Sequence, residues 1–149
     1  QESPFTDQGS VAELKRVLSR AVVLVQYTFD YKEAEERYIE VPVSRNTRIV
    51  DVRTIQYIEK RRNKCVLHCT DAEITCYETL KKICSKLDQN IFIYVHQGYI
   101  VNFDAIKEVK ENVVCLGDGV EVPLSRSHYK EVKNRHMSKI RKLLEERKM

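Results

Sequence analysis

Apolar residues near the start of the chain fall at helical intervals: Leu14, Leu18, Val22, Val25 and Phe29 recur at steps of four or three, drawing one stripe down to about Tyr31. Ser10-Val11-Ala12-Glu13 precedes them with the capping-box pattern, in which the serine oxygen accepts from the third helical amide while the glutamate reaches back. This predicts a long helix. Its stripe must be covered, either by its own domain or by a second copy. The polar run that follows, to Arg37, reads as a frayed end or linker.

From Tyr38 the period shortens. Residues 38–43, 48–52, 55–58, 65–69 and 74–77 are short β-branched or aromatic runs, several alternating polar with apolar and bounded by Pro42, Asn46, Asn63 and Asp71. They predict strands. Residues 78–87 interrupt with a helical pattern in which Leu80, Ile83, Cys84 and Leu87 share a face. Strands are expected again at 91–95, 99–101 and 106–110. A hairpin follows, 113–116 and 120–124 about the turn Gly117-Asp118-Gly119. Val132, His136, Ile140, Leu143 and Leu144 then trace a final amphipathic helix. The pattern predicts a mainly β domain over 38–149 with one short internal helix, a helical segment over 1–37 before it, and a C-terminal helix.

Composition bounds this picture. A chain of 149 residues with 42% apolar content can bury one sizeable core and is too apolar for a disordered one. Its longest apolar runs fall far short of the roughly 20 residues a membrane-spanning helix needs, and no basic start followed by an apolar block marks a signal peptide. Five cysteines, at 65, 69, 76, 84 and 115, include no Cys-x-x-Cys pair, which fits reduced thiols in a cytoplasmic protein better than a stapled secreted fold. His68 beside Cys65, Cys69 and Cys76 is one conceivable metal cluster, but Cys65, Leu67 and Cys69 alternate as one face of a strand would, so we read the thiols as small buried hydrophobes.

The net charge of +4 is unevenly shared. Residues 1–37 carry five basic and seven acidic side chains, whereas 126–149 carry nine basic and three acidic. A basic terminal helix can hug phosphates or be a solvated face.

Enzymatic constellations are scarce. Gly-x-Gly-x-x-Gly, Gly-x-x-x-x-Gly-Lys-Ser/Thr, His-Glu-x-x-His and Gly-x-Ser-x-Gly do not occur, and nothing in the spacing of His96, Asp104 and Cys115 demands that they converge, so no catalysis is expected. The loops offer different chemistry. Gln97 can donate and accept together, which matches adenine N6 and N7, and the fork of Arg126 matches guanine O6 and N7. Arg61-Arg62-Asn63-Lys64 reads as a hairpin tip that is either solvated or a holder of phosphate oxygens. Ser125 and Ser127 add hydroxyl donors. From the residues alone, nucleic-acid binding and a β-rich protein-interaction module with an incidental basic tail both remain open.

Four elements in order narrow the choice: Tyr57-Ile58-Glu59, the helical segment 78–87, His96-Gln97-Gly98-Tyr99-Ile100-Val101-Asn102, and Pro123-Leu124-Ser125-Arg126-Ser127. Together they resemble the LytTR DNA-binding domain family, over about 38–139. The resemblance implies an elongated β sandwich that sends inter-strand loops into successive major grooves of bent double-stranded DNA, without a cofactor. It implies base-reading roles for Asn63, Lys64 and Arg126, with Gln97 over the groove between. Phosphate contacts would come from Arg61, Arg62, Ser125, Ser127, Lys130 and Lys133, while His96 and Asn102 would brace their loop and Tyr99 would be core. The family often has a basic residue at Gln97 and a serine at Gly98.

The resemblance also implies the effector part of a two-component response regulator, acting as a dimer on a promoter made of two repeats. Ser3-Pro4-Phe5 before the capped helix looks like the end of a receiver domain, through which a sensor kinase would act, and the predicted N-terminal helix is a candidate dimer contact.

Overall fold

The computed structural model describes residues 35–148. The predicted helix over 10–31 and the receiver-like Ser3-Pro4-Phe5 lie outside these residues. What is described is mainly β. Strands β1 (Tyr38–Val43) and β2 (Asn46–Asp51) form a hairpin, β3 (Ile55–Arg61), β4 (Lys64–Cys69) and β5 (Glu73–Cys76) a meander, and helix α1 (Leu80–Cys84) leads to β6 (Phe92–His96) and β7 (Tyr99–Asn102). Short strands β8 (Glu108–Val109), β9 (Val113–Cys115) and β10 (Glu121–Pro123) precede helix α2 (Arg126–Lys148). Among the described residues, no helix is long and apolar enough to cross a membrane.

The sheet at the centre has five antiparallel strands in the order β5-β4-β3-β7-β6. Alternation sorts its side chains onto two faces. One carries Ile58, Cys65, Leu67, Ile74, Cys76 and Ile100, which pack with Ile39, Val41 and Val50 of the β1–β2 hairpin and Leu80 and Ile83 of α1. The other carries Ile93, Val95 and Val101, which pack with Val114 and Val122 of the three-stranded sheet β10-β9-β8 and with Val132 of α2. Val41, Ile55, Ile58, Leu67, Ile83 and Ile100 are wholly buried, each contributing about 1.5–3 kcal/mol of apolar transfer. The result is a layered β structure with two cores back to back across one sheet. Cys65, Cys76 and Cys84 are buried free thiols, and burial, with Cys76 directly opposite, pushes the Cys65 thiol up to about 11. They serve as the apolar side chains that their spacing suggested.

Two equivalent turns hold the sandwich together. Asp51 accepts from the amide of Arg53 at 3.0 Å, and Asn102 from that of Asp104 at 2.9 Å, each capping a single 3-10 turn that redirects the chain between sheets. Asn102 also donates from Nδ2 to the carbonyl of Ile55 at 2.9 Å, which ties the end of β7 to the start of β3. It therefore braces the end of β7 remote from Gln97, rather than the loop with which the sequence associates it.

Other departures are local. The helix predicted over 78–87 begins later because Thr79 caps it, accepting from Lys82 at 3.1 Å. It closes early because the Leu87 amide bonds to Cys84, three residues back instead of four. The strand predicted over 106–110 shrinks to Glu108–Val109, since the Ile106 amide is held in a turn by Phe103 and the Lys110 amide closes a tight turn onto Val113. Tyr99 is half-buried at the edge of the second core instead of inside it. The largest departure concerns α2. Val132 is buried, but Ile140, Leu143 and Leu144 are 38%, 54% and 48% exposed. A 23-residue helix is roughly 35 Å long, and it runs on beyond its anchors, Arg135 on the Asn90 carbonyl and Lys139 on Asp104.

Asn102 is 7% exposed, so truncating it strands the Ile55 carbonyl and the Asp104 amide. Asn102→Ala is expected to lower unfolding free energy by about 2 kcal/mol in urea titration. A loss under about 0.5 kcal/mol would contradict this bracing.

Candidate nucleic-acid interface

Sheet register gathers three chain reversals at one end of the five-stranded sheet. Arg61 pairs with Lys64 across the β3–β4 hairpin, leaving Arg62 and Asn63 as the turn, with Arg62 at φ 57°. Glu59 pairs with Tyr99 across β3 and β7, and the Lys60 amide donates to the Gly98 carbonyl at 2.8 Å. This locks the β6–β7 loop beside the hairpin tip. On the far edge, the Ser125 amide donates to the Val95 carbonyl at 2.8 Å, while the Leu124 amide donates to Asn112 at 3.0 Å. The segment before α2 is thus pinned to both sheets. Lys64, Gln97 and Arg126 stand in a row along one end of the sheet, carried by three backbones that are hydrogen-bonded in series.

Within the row, Arg61, Arg62, Asn63, Gln97 and Arg126 are exposed and Lys64 is half-exposed. A groove of about 610 Å3 opens beside the tip, lined by Arg61, Arg62, Asn63, Lys64, Val66 and Thr75. His96 Nδ1 accepts from the Gly98 amide at 3.0 Å, and its ring meets Tyr99 edge-on at 5.5 Å, so it holds the loop from within. A Cβ added at Gly98 would make only ordinary contacts, at 3.8 Å, so the serine common in the family fits there. On α2, Arg126, Lys130 and Lys133 are spaced to share one face, all exposed. Lys133 donates to the Tyr129 hydroxyl at 2.9 Å, which raises its ammonium above the ordinary lysine range. Ser125 and Ser127 both turn their hydroxyls toward His128 Nδ1, at 2.6 and 3.3 Å.

Several side chains at this end escaped the sequence reading. Tyr77, half-exposed one residue past β5, lies under the Lys64 ammonium at 5.1 Å, and His128 gathers the two serines. Their only signal was an aromatic or a histidine near a predicted loop. Glu59 is a third. Burial pushes its carboxyl up, but hydrogen bonds from Arg61 at 3.0 Å and His68 at 2.7 Å outweigh burial and hold it below the usual glutamate range. His68 faces Glu59 and Glu73 through its two ring nitrogens, on the side of β4 opposite Cys65 and Leu67.

Fold and site together define a β scaffold that presents polar and cationic loops at one end. Residues 45–137 match the family described as the LytTr DNA-binding domain. The chain belongs to that family. It is 28% identical over 138 residues to the sensory transduction protein LytT of Bacillus subtilis strain 168, and 24% identical over 140 residues to LytT of Bacillus anthracis. Both alignments cover 87% of this chain and 56% of the relative, so the chain spans about half the length of these proteins. Among solved structures, a LytTr DNA-binding domain from Bacillus cereus superposes with a TM-score of 0.57 at 20% identity, covering 68% of this chain and 96% of that one, a likeness of fold.

Because the Glu59 carboxyl titrates lower in the folded chain than in the unfolded one, its stabilising effect is fully present above the ordinary glutamate pKa of about 4.3 and is lost as pH falls toward the folded value. Glu59→Gln is therefore expected to be less stable than wild type at pH 7, with the gap narrowing as pH falls below the ordinary glutamate range in parallel urea titrations. A gap independent of pH would show that the carboxylate charge is not what stabilises.

Proposed function

We propose that this chain is the DNA-binding effector part of a transcription regulator and reads a duplex with the row of loops at the end of its central sheet. The observation that carries the reading is that row, in which Lys64, Gln97 and Arg126 are brought to one edge by the bonds from Lys60 to Gly98 and from Ser125 to Val95. Asn63, Lys64 and Arg126 are assigned to base edges in the major groove, with Gln97 between them, where an amide can pair with adenine and a guanidinium with guanine. Arg61, Arg62, Ser125, Ser127, Lys130 and Lys133 are assigned to phosphate oxygens, which set register and orientation. Four strand spacings separate Lys64 from the Ser125 edge, roughly 19 Å. Long side chains at both ends extend that span toward the roughly 34 Å of one helical turn, and a bend in the DNA shortens the rest.

Membership in a family of DNA-binding domains supports this reading. The likeness to sensory transduction proteins supports a place in a sensory-transduction regulator. To that we add, as part of the proposal, a receiver and kinase upstream and two protomers on repeated half-sites. Catalysis has no part in the proposal. One observation favours a rival, a protein-interaction module: the exposed Ile140, Leu143 and Leu144 of α2.

Salt separates the two. Binding to a duplex selected from a random pool should fall steeply with ionic strength, and indifference to duplex at low salt would decide for the rival. Within the DNA reading, Arg126→Ala should cost about 1–3 kcal/mol on the selected duplex and far less on a random one, whereas Lys133→Ala should weaken both alike and lower the salt slope by about one. Equal losses for Arg126→Ala on both duplexes would remove its base-reading role.

A further inference from the structure

Glu59 places a carboxylate among the cations of the proposed interface, where a negative charge should repel phosphate. Its Oε1 takes two donors, Arg61 Nη2 at 3.0 Å and His68 Nε2 at 2.7 Å. His68 is itself fixed. Its ring stacks on Tyr57 with centroids 4.1 Å apart and planes within 10°, and its Nδ1 faces Glu73 Oε2 at 3.3 Å. Exposure rises steadily outward: the side chain of His68 is 12% exposed, that of Glu59 17% and that of Arg61 57%. A stacked, nearly buried base thus carries a freely accessible tip.

Ion pairs at such an exposed tip add little to the stability of a fold, so stability gives weak reason for this arrangement. Orientation gives a stronger one. Arginine loses much side-chain entropy when it is ordered on a phosphate, and a guanidinium already held by one nitrogen loses less while keeping donors on the others. We infer that Glu59 and His68 are positioning residues for Arg61: His68 clamps the carboxylate, and the carboxylate aims the guanidinium along the hairpin tip toward a phosphate. The inference rests on the DNA reading above, and it assigns to an acidic residue a favourable part in binding a polyanion.

The sign of one substitution tests it. Glu59→Gln removes a negative charge, so a bystander carboxylate predicts tighter duplex binding, whereas a positioning carboxylate predicts weaker binding, by about fivefold on the selected duplex at moderate salt. In an Arg61→Ala background the positioning role has nothing to act on, and the same substitution should then tighten binding slightly. His68→Gln, which keeps the Glu59 charge, should weaken binding when Arg61 is present and have no effect when it is not. Should Glu59→Gln fail to fold, the His68→Gln pair and the guanidinium nitrogen signals of the wild-type chain decide: Arg61 should give restrained signals at pH 7 that average once the carboxyl is protonated. Tightening by Glu59→Gln in both backgrounds, equal effects of His68→Gln with and without Arg61, or averaged Arg61 signals at pH 7 would each overturn the inference. Absence of salt-sensitive duplex binding by the wild-type chain would instead overturn the reading on which it rests.

Discussion

The five-stranded antiparallel sheet is the constraint on which everything else depends, because its ladder converts positions far apart in the chain into neighbours at fixed spacing. Lys60 and Gly98 are separated by most of the meander, by α1 and by β6, yet one amide–carbonyl bond of 2.8 Å joins them. Ser125 reaches Val95 by another. A slip of one residue in the β3–β7 register would move Glu59 and Tyr99 to opposite faces and carry the loop away from the tip. That slip is opposed by two hydrophobic clusters, one on each face of the sheet, since it would expose both at once.

This arrangement explains how a surface can be both adaptable and precise. Backbones at the working end are tied to the sheet, whereas the side chains they carry are largely solvated. Where a side chain is steadied, a neighbour does it: Tyr77 lies under Lys64, Tyr129 binds Lys133, Glu59 binds Arg61 and His128 gathers the two serines. Each partner is only part-buried or exposed, so each contact adds little to the fold. Their consequence is a reduction in the freedom of long cationic side chains, which is one part of the entropic cost of holding a phosphate.

α2 follows a different logic. Its first turns are integrated, through the buried Val132 and through Arg135 and Lys139, both of which lie over the Phe103 ring at 5.1–5.2 Å. Past Lys139, among the described residues, the apolar Ile140, Leu143 and Leu144 are exposed. Periodicity in sequence therefore overstated its burial: spacing of apolar residues shows that a helix has a side to cover, but not that anything covers it.

The sequence by itself determined the local conformations and the kinds of chemistry on offer. Short β-branched or aromatic runs marked the strands, several by alternation where one face is exposed and others as continuous apolar runs where both faces are buried, and the Arg61 to Lys64 tip was legible because a charged run between two such strands must turn. Spaced motifs identified the family and, with it, the candidate side chains. Tertiary structure alone decided which of these became neighbours. That Asn102 ties β7 to β3 instead of bracing the His96 loop, that His68 serves carboxylates instead of the nearby cysteines, and that Glu59 stands beside Arg61 on one face all follow from strand pairing and face parity. Those are relations between distant segments, and the free energy that selects among them comes from burying both faces of one sheet, a quantity no local stretch of sequence contains.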